Sequence, residues 1–536
     1  MSVGKQIERI RALAAVRDFA GACKLGRSAL AKYPGNIPLA LTYAQALLGG
    51  GDNAGAAAVL GKLLAIRKAP VDAFLMCAFA QMQLQRLDDC LATVTSGLKK
   101  YPDHPDLLNN AGVLHDLLKR PAKAETAFRR LTEVQPRHGG AFVGLGNALR
   151  QQGKNDDALR AYETAVALEP GNPAPRINQA NLLGQMGESD RAQAAYREVL
   201  QRFPQRKDVL SNFAASLANS GDHAAAAELY ESYMASYPND YDANLFWGKA
   251  LLKSGNAAAA ETVFEAMADA YPDRTGICPE LINACLKNGK EALARKYQAQ
   301  YRAKFPASAD VYSSDTILDA ASGGKDSVLN EARYDADIEA TEIRVPEGYA
   351  DETAFWDAVC AAVYAHPSLR ESPPEHATRE GFHSDNLAEE PVAPALQDLI
   401  AAITENVREY AAQRADAGNP FFDNLSLDGH LFRMWAVVMR QGGHQEAHIH
   451  PSSRISGVVY AKVPASIRDG NDRSGWIEFG RPHSDFFEPE TLATRMFQPK
   501  RGRLVMFPAY LYHRTLPLDG DDHRISIAFD FCTPDA

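Results

Sequence analysis

Two motifs near the C-terminus supply imidazoles that could hold a metal ion. The first is His-Ile-His at 448–450, and the second is GRLVMFPAYLYH at 502–513, in which a strand ends at a proline shortly before a histidine. Residues i and i+2 of a β-strand face the same side, so both imidazoles of the first motif can converge on one point. The candidate metal ligands are His448, His450 and His513.

A third motif, Arg524-Ile525-Ser526, lies eleven residues beyond the last of these histidines. Alternation along HRISIAFDF puts the isoleucines and phenylalanines on one face of a strand, and Arg524, Ser526 and Ala528 on the other. An arginine that faces the inside of a β domain is costly unless an anion pairs with it. The three motifs together indicate a metal site beside an anchor for a carboxylate.

These motifs need strands to position them. Short segments rich in β-branched and aromatic residues, bounded by Gly, Pro and Asp, are typical of strands. They occur at 430–443, 455–464, 475–480, 502–514 and 523–531. Two helical stretches precede them, at 352–365 and 392–415. The pattern predicts an all-β sandwich or barrel with support helices in front of it.

The order H-x-H … H … R-x-S resembles the double-stranded β-helix (jelly-roll) oxygenases that use Fe(II) and 2-oxoglutarate. The resemblance covers roughly 335–536 and is most specific over 444–530. It is nearest to bacterial oxygenases with an HxHPxSxxSGVxY strand and a G-x-L-x-x-FP…H strand. The chain also resembles aspartyl/asparaginyl β-hydroxylase, in which a repeat-like region precedes such a domain and the expected carboxylate ligand is absent.

The resemblance implies Fe(II) as cofactor, with 2-oxoglutarate and O₂ as cosubstrates. Facial ligands leave open positions on such an iron. Arg524 and Ser526 would hold the far carboxylate of 2-oxoglutarate. Tyr460, twelve residues after His448, either lines the cosubstrate pocket or packs in the core.

One position departs from the family pattern, because His450 stands where an Asp or Glu is usual. Two arrangements remain open. In one, all three histidines are metal ligands. In the other, His448 and His513 are the only protein ligands, water takes the position of the missing carboxylate, and His450 lies outside the ligand set. Asp469, Asp472 and Glu478 are later carboxylates that could approach the metal. His483, in GRPHSD, is a candidate residue of a substrate loop.

The first 300 residues have a different character and repeat with a period of 34. Prolines occur at 34, 102, 136, 170, 204, 238, 272 and 306, and every gap is 34 residues except the first, which is 68. This is the length of a tetratricopeptide repeat (TPR), and AFVGLGNALRQQGKNDDALRAYETAVALEP resembles that family most clearly. A small residue lets the first helix of each repeat approach the second, an aromatic residue fills the gap, and proline ends the second helix. We expect an all-α solenoid of about nine repeats over 3–307.

Asparagines recur on the first helix of the repeats, which lines the concave wall of such a solenoid. They are Asn110, Asn178 and Asn212 at one position, and Asn147, Asn181 and Asn283 three residues further on. An asparagine amide can pair with both the donor and the acceptor of a peptide backbone. We therefore expect a groove for a protein or peptide partner, with a solvated polar face as the alternative.

The segment 308–337 loses the repeat signature and contains Gly323-Gly324, so we expect a linker there and the oxygenase-like domain at 338–536. The net charge of −10 argues against a general nucleic-acid binder. Seven scattered cysteines without a CxxC pair suggest neither a disulfide framework nor a zinc site. We see no signal peptide and no apolar run of membrane-spanning length, and we expect a cytoplasmic protein.

Three functions compete. The first is an Fe(II)/2-oxoglutarate-dependent dioxygenase that hydroxylates a protein or peptide recruited by the TPR groove. The second is a cupin-like metal-binding barrel, but the Glu expected shortly after the HxH motif is replaced by Ser453 and Arg454, and Arg524 would have no role. The third is a non-catalytic TPR scaffold, which leaves the histidines and Arg524 without a purpose.

Overall fold

The chain is a helical repeat array followed by a strand-rich region. The computed structural model describes residues 2–66, 68–321, 331–371, 377–415, 419–423, 425, 427, 429–470, 472–486 and 493–532. Two compact units divide it, one over 1–216 and one over 217–536. Within those described ranges, no helix combines the length and the apolar character that a membrane span requires.

The helices of the array alternate as first and second helix of each repeat, with odd numbers for the first. They are α1 (Val3–Ala15), α2 (Phe19–Lys32), α3 (Ile37–Gly49), α4 (Asn53–Leu64), α5 (Val71–Gln83), α6 (Leu87–Lys100), α7 (Pro105–Leu117), α8 (Pro121–Val134), α9 (Gly139–Arg150), α10 (Asn155–Leu168), α11 (Pro173–Gln185), α12 (Ser189–Arg202), α13 (Lys207–Asn219), α14 (His223–Ser236), α15 (Tyr241–Lys253), α16 (Ala257–Ala270), α17 (Ile277–Lys287) and α18 (Glu291–Lys304).

The turns between paired helices show the repeat length directly. Each contains one residue with positive φ, and these residues are spaced 34 apart: Arg17, Gly51, Gln85, Lys119, Gly153, Gly187, Gly221, Gly255 and Gly289. Glycine suits this left-handed conformation because it has no Cβ. The prolines lie two residues beyond the second helix, as Pro136 does after α8 and Pro170 after α10. The prediction that proline marks the end of the second helix is confirmed.

A glycine on the first helix lets the second helix pack closely. A Cβ on Gly146 of α9 would lie 2.5 Å from the ring of Tyr162 in α10. A Cβ on Gly112 of α7 would lie 2.6 Å from the ring of Phe128 in α8. Both rings are buried, so the small residue and the aromatic residue form one contact.

The strand-rich region contains the remaining elements. The helices are α19 (Ala309–Ala321), α20 (Glu331–Asp337), α21 (Glu352–Ala365), α22 (Pro394–Arg414) and α23 (Ala465–Asp469), with a 3-10 turn at Pro420–Phe422. The strands are β1 (Glu339–Glu342), β2 (Arg370–Glu371), β3 (Thr378–His383), β4 (Leu431–His448), β5 (Ser453–Lys462), β6 (Ile477–Phe479), β7 (Arg495–Phe497), β8 (Arg503–Pro508), β9 (His513–Thr515) and β10 (Arg524–Cys532).

A buried helix lies in the segment 308–337, where we expected a linker. Helix α19 begins 68 residues after α15, which is two repeat lengths, so the helical register continues. Its side chains from Ala309 to Ala320 are buried although many are polar. Asp315 pairs with Arg302 at 2.7 Å, and Tyr312 packs against Phe421 and Tyr510 of the strand-rich region. The last helices of the array and the sheet therefore belong to the same compact unit.

All the described strands form one antiparallel sheet. Its order is β1-β8-β5-β10-β4-β9-β6-β7, and β3 pairs with both β4 and β2. The long strand β4 pairs with β10 over 431–439 and with β9 at Gln445 and His448. Between these two stretches the backbone has positive φ at Gly442. Because β4 changes partner in this way, it links the two halves of the sheet at the point where the histidine motif begins.

The central strand β10 separates the core from the site. Ile525, Ile527, Phe529 and Phe531 lie in the hydrophobic core with the support helices α21 and α22, which confirms the predicted alternation. Arg524 and Ser526 lie on the other face and line a cavity.

The close contact at Gly146 generates the first prediction. Gly146→Ala should destabilise the array by about 1–2 kcal/mol, because overpacking against Tyr162 outweighs the higher helix propensity of alanine. Urea unfolding of the full chain, followed by far-UV circular dichroism, measures this. Gly184→Ala in α11 is the matched control, since its Cβ would meet only Ser216 Oγ, at 4.0 Å. Equal effects of the two substitutions would contradict the packing argument.

Candidate metal centre and adjoining cavity

Three histidines from separate parts of the sheet meet at one point. His448 is the last residue of β4, His450 follows two residues later, and His513 begins β9 directly opposite His448. One ring nitrogen from each lies within 4.8 Å of the other two. The ring centroids of His448 and His513 are 4.3 Å apart, and that of His450 is just over 5 Å from each. The sequence prediction placed His450 on the strand, whereas it lies just beyond the strand end and still points to the cluster.

Hydrogen bonds set the same tautomer on all three rings. Nδ1 of His448 donates to the Glu446 carbonyl at 2.7 Å, and Nδ1 of His513 donates to the Leu511 carbonyl at 3.0 Å. Nδ1 of His450 donates to Asp530 at 2.8 Å. With the protons on Nδ1, each Nε2 carries a lone pair. The Nε2 atoms of His450 and His513 are 3.3 Å apart, so their two lone pairs face each other. A cation bound by both nitrogens would offset the repulsion between these lone pairs.

The rings of His448 and His513 are also held in their neutral form. Burial, followed by the nearby His450, lowers the pKa of His448 to about 4. Burial and then the two neighbouring imidazoles lower the pKa of His513 well below its ordinary value. Neutral imidazole is the form that binds metals, so these side chains need not lose a proton at neutral pH to act as ligands.

Two residues outside the predicted set support His450. Trp435 stacks on the His450 ring, with centroids 5.7 Å apart. Asp530 is buried and also accepts a hydrogen bond from Ser456 Oγ at 2.6 Å. Burial alone would raise the pKa of Asp530, but His450 and the serine hydrogen bond hold it below its usual value. The same alternation along β10 that places Arg524 and Ser526 on the inner face also places Asp530 there, so the sequence held a signal for this residue.

No carboxylate joins the cluster among the described residues. Glu478 is buried and pairs instead with Arg514 at 2.6 Å. Asp472 accepts a hydrogen bond from the Ser474 backbone. The Asp469 side chain lies outside the described residues.

A cavity joins the histidines to the predicted carboxylate anchor. His448, His450 and His513 line it, and so do the three residues of the anchor, Tyr460, Arg524 and Ser526. Ser526 Oγ donates to the Val437 carbonyl at 3.4 Å.

Arg524 is 1% exposed and has no acidic partner among the described residues. Its Nη1 donates to the Gly475 carbonyl, its Nη2 lies 2.9 Å from Met439 Sδ, and its guanidinium lies 5.7 Å from the Tyr460 ring centroid. Burial lowers the pKa of Arg524 and raises that of Tyr460 to about 12. Within the part of the chain that the structure describes, Arg524 Nε and Tyr460 Oη have no hydrogen-bond partner. A guanidinium and a phenol with unused donors, buried beside one cavity, fit a carboxylate.

A second, more open groove shares Gln445 and Thr515 with this cavity. The loop 481–486 forms one side of it, which places His483 at the groove and not in the metal cluster. Helices of the array hold this loop: Lys253 of α15 pairs with the Asp485 carboxylate at 2.9 Å, and Lys287 of α17 donates to the Asp485 carbonyl at 2.7 Å.

The asparagines predicted to bind peptide lie on the first helices of their repeats, where Asn283 is buried and the other five are half-buried. Asn147 accepts a hydrogen bond from the Tyr162 hydroxyl at 2.7 Å, and Asn181 accepts one from Tyr196. Asn178 donates to Asn147 at 3.4 Å. In these two repeats, a tyrosine of the second helix therefore occupies the carbonyl oxygen of the asparagine amide. The sequence pattern did not predict this contact. Asn110 and Asn212 occupy the equivalent position to Asn178 in their own repeats.

Comparison with known proteins identifies both parts of the chain. Residues 433–530 match the family model described as "Putative 2OG-Fe(II) oxygenase". Tetratricopeptide-repeat models match residues 47–109, 118–173, 149–217 and 217–277. The chain therefore combines TPR repeats with a C-terminal domain of the 2OG-Fe(II) oxygenase kind. A search of curated proteins found no significant match.

Several solved structures are similar at low identity. A tetratricopeptide repeat protein from Parabacteroides merdae is 18% identical, with a TM-score of 0.36, and the alignment covers 46% of this chain and 97% of that one. PilW, a type IV pilus biogenesis factor, is 19% identical with a TM-score of 0.35, over 39% and 96% of the two chains. YrrB, a TPR protein with an unusual peptide-binding site, is 16% identical with a TM-score of 0.32, over 35% and 96%.

The histidine cluster generates the second prediction. His448→Ala and His513→Ala should abolish Fe(II) binding, and His450→Ala should weaken it, because each removes one lone pair from the cluster. Anaerobic isothermal titration calorimetry with Fe(II) measures this. His444→Ala is the control, because His444 lies on the same strand and outside the cluster. Normal Fe(II) affinity in His450→Ala would favour the two-histidine site with water.

Proposed function

We propose that this protein is an Fe(II)- and 2-oxoglutarate-dependent dioxygenase that hydroxylates a protein or peptide bound by its TPR repeats. One observation carries the proposal: three imidazole lone pairs line the same cavity as a buried arginine that has no acidic partner among the described residues. The first feature suits a divalent cation, and the second suits an organic acid beside it. The proposal also takes the curled antiparallel sheet to be a double-stranded β-helix.

In this proposal, His448, His450 and His513 hold the iron through Nε2. Bound Fe(II) would supply O₂ activation, with 2-oxoglutarate oxidised to succinate and CO₂ as the substrate is hydroxylated. The protein contributes ligand orientation through the Nδ1 hydrogen bonds. The aromatic rings of Phe507 and Phe479 pack against His513 at 4.7 and 5.9 Å and exclude water from that side.

Arg524, Tyr460 and Ser526 hold the far carboxylate of 2-oxoglutarate. A guanidinium can bind a carboxylate with two hydrogen bonds, and the Tyr460 hydroxyl can donate a third. Both side chains are already buried, so binding does not require the arginine to be desolvated at that moment. A scaffold without activity would leave this buried cation without a role.

The contact between helix α17 and the loop 481–486 supports a peptide substrate. Asn283 lies at the same repeat position as Asn147 and Asn181, and its Nδ2 lies 3.3 Å from the Asp485 carbonyl. An asparagine of the array thus already donates to a main-chain carbonyl, here one in a turn of the protein's own loop. Because the same loop borders the groove beside the cavity, we infer that the repeats and this loop together guide a peptide to the iron.

The buried arginine generates the third prediction. Arg524→Ala should keep Fe(II) but weaken 2-oxoglutarate binding at least about 100-fold, because a charge-assisted two-pronged contact is lost. Arg524→Lys should lie between Ala and wild type, and Ser526→Ala should have a smaller effect of the same sign. Calorimetric titration of 2-oxoglutarate into protein loaded with Zn(II), which does not turn over, measures the affinities. Loss of metal binding with unchanged 2-oxoglutarate affinity would make Arg524 a structural residue and remove the main support for the proposal.

The asparagine face generates the fourth prediction. Asn178→Ala combined with Asn212→Ala should weaken binding of extended peptides about 10-fold or more, since each loses a hydrogen bond to the ligand backbone. Peptide-array binding by the full chain, followed by fluorescence anisotropy on the best binder, measures this. Asn155→Ala, at the start of the second helix α10, is the control. Equal binding by the double variant and wild type would favour a solvated polar face.

A further inference from the structure

The three-histidine cluster lacks the negative charge that an Asp or Glu ligand would give it. Ferrous iron bound by three neutral imidazoles keeps both of its positive charges, whereas a carboxylate ligand cancels one of them. A buried, uncompensated charge is costly, so a negative group close to the cluster would strengthen metal binding. Among the described residues the cluster itself offers no such group.

We propose that Asp530 supplies this charge through His450, as a positioning residue that orients the imidazole and makes it a stronger ligand. The inference rests on the proposed metal site. Metal-bound histidines commonly donate their second ring N–H to a carboxylate, which fixes the tautomer and raises the basicity of the ligating nitrogen.

The geometry of Asp530 suits this role. Its Oδ2 accepts from His450 Nδ1 at 2.8 Å, and its Oδ1 accepts from Ser456 Oγ at 2.6 Å. The side chains of His450 and Asp530 are 13% and 9% exposed, so little water screens the pair. Strand register fixes the arrangement, because Asp530 on β10 lies directly opposite Ser456 on β5.

Among the described residues the only ion pair of Asp530 is with His450, and no other cation there explains its burial. A buried carboxylate needs hydrogen bonds and a compensating positive charge. His450 bearing a metal ion on its far nitrogen provides both, and the Trp435 ring stacked on His450 keeps the imidazole aligned between the two.

Co(II) titration of Asp530→Asn tests the inference. Asparagine has nearly the same shape and can still accept a hydrogen bond, but it carries no charge. We expect Co(II) affinity to fall about 10- to 100-fold, with a shift in the visible d–d bands of bound Co(II), while metal-free Asp530→Asn and wild type have matching circular dichroism. Asp522→Asn is the matched control, since Asp522 is exposed and pairs with Lys462 on the surface.

Unchanged Co(II) affinity and unchanged bands in Asp530→Asn, with wild type binding Co(II) normally, would overturn the inference and leave the proposed function standing. Failure of wild type itself to bind Co(II) would overturn the proposed function as well.

A second measurement needs no variant at this position. In Zn(II)-loaded wild-type protein labelled with ¹⁵N-histidine, His450 should show a protonated Nδ1 and a metal-bound Nε2. Metal on Nδ1, or a proton on Nε2, would overturn the inference even if Asp530→Asn did not fold.

Discussion

The site depends on one constraint: three imidazole lone pairs point at the same buried position. Such an arrangement is unfavourable without a cation, and the hydrogen bonds to Glu446, Leu511 and Asp530 prevent the rings from relieving it by changing tautomer. The geometry follows from the path of β4. This strand pairs with β10 before Gly442 and with β9 after it. The second stretch places His448 opposite His513, and the first places Met439 opposite Arg524.

The last repeats of the array contribute to this site. Helix α19 packs Tyr312 against Tyr510, which lies next to the residue whose carbonyl orients His513. Helices α15 and α17 hold Asp485 in the loop beside the groove. Within the second compact unit, the last repeats therefore form part of the support of the cavity. The ion pair of Asp315 and Arg302, whose side chains are 11% and 28% exposed, shows that this junction includes polar contacts.

Sequence patterns predicted what depends on local periodicity. The spacing of prolines predicted the helical array, and the alternation along β10 predicted which face carries Arg524. Patterns failed where distant segments decide the outcome. Helix α19 is polar in composition, so its burial follows only from the helices and strands that cover it. Asp530 lay within the alternating pattern, but its partners His450 and Ser456 come from other strands, and their register cannot be derived from one sequence.

The most direct test of the account is succinate formation from 2-oxoglutarate by the Fe(II)-loaded protein in air. Turnover should require added Fe(II), continue slowly without a protein substrate, and be absent in His513→Ala. Quantifying succinate by mass spectrometry with ¹³C-labelled 2-oxoglutarate excludes carry-over from the cell. Fe(II) bound by the wild-type protein without any succinate above the His513→Ala background would contradict the account, and the cavity would then be a metal site without oxygenase chemistry.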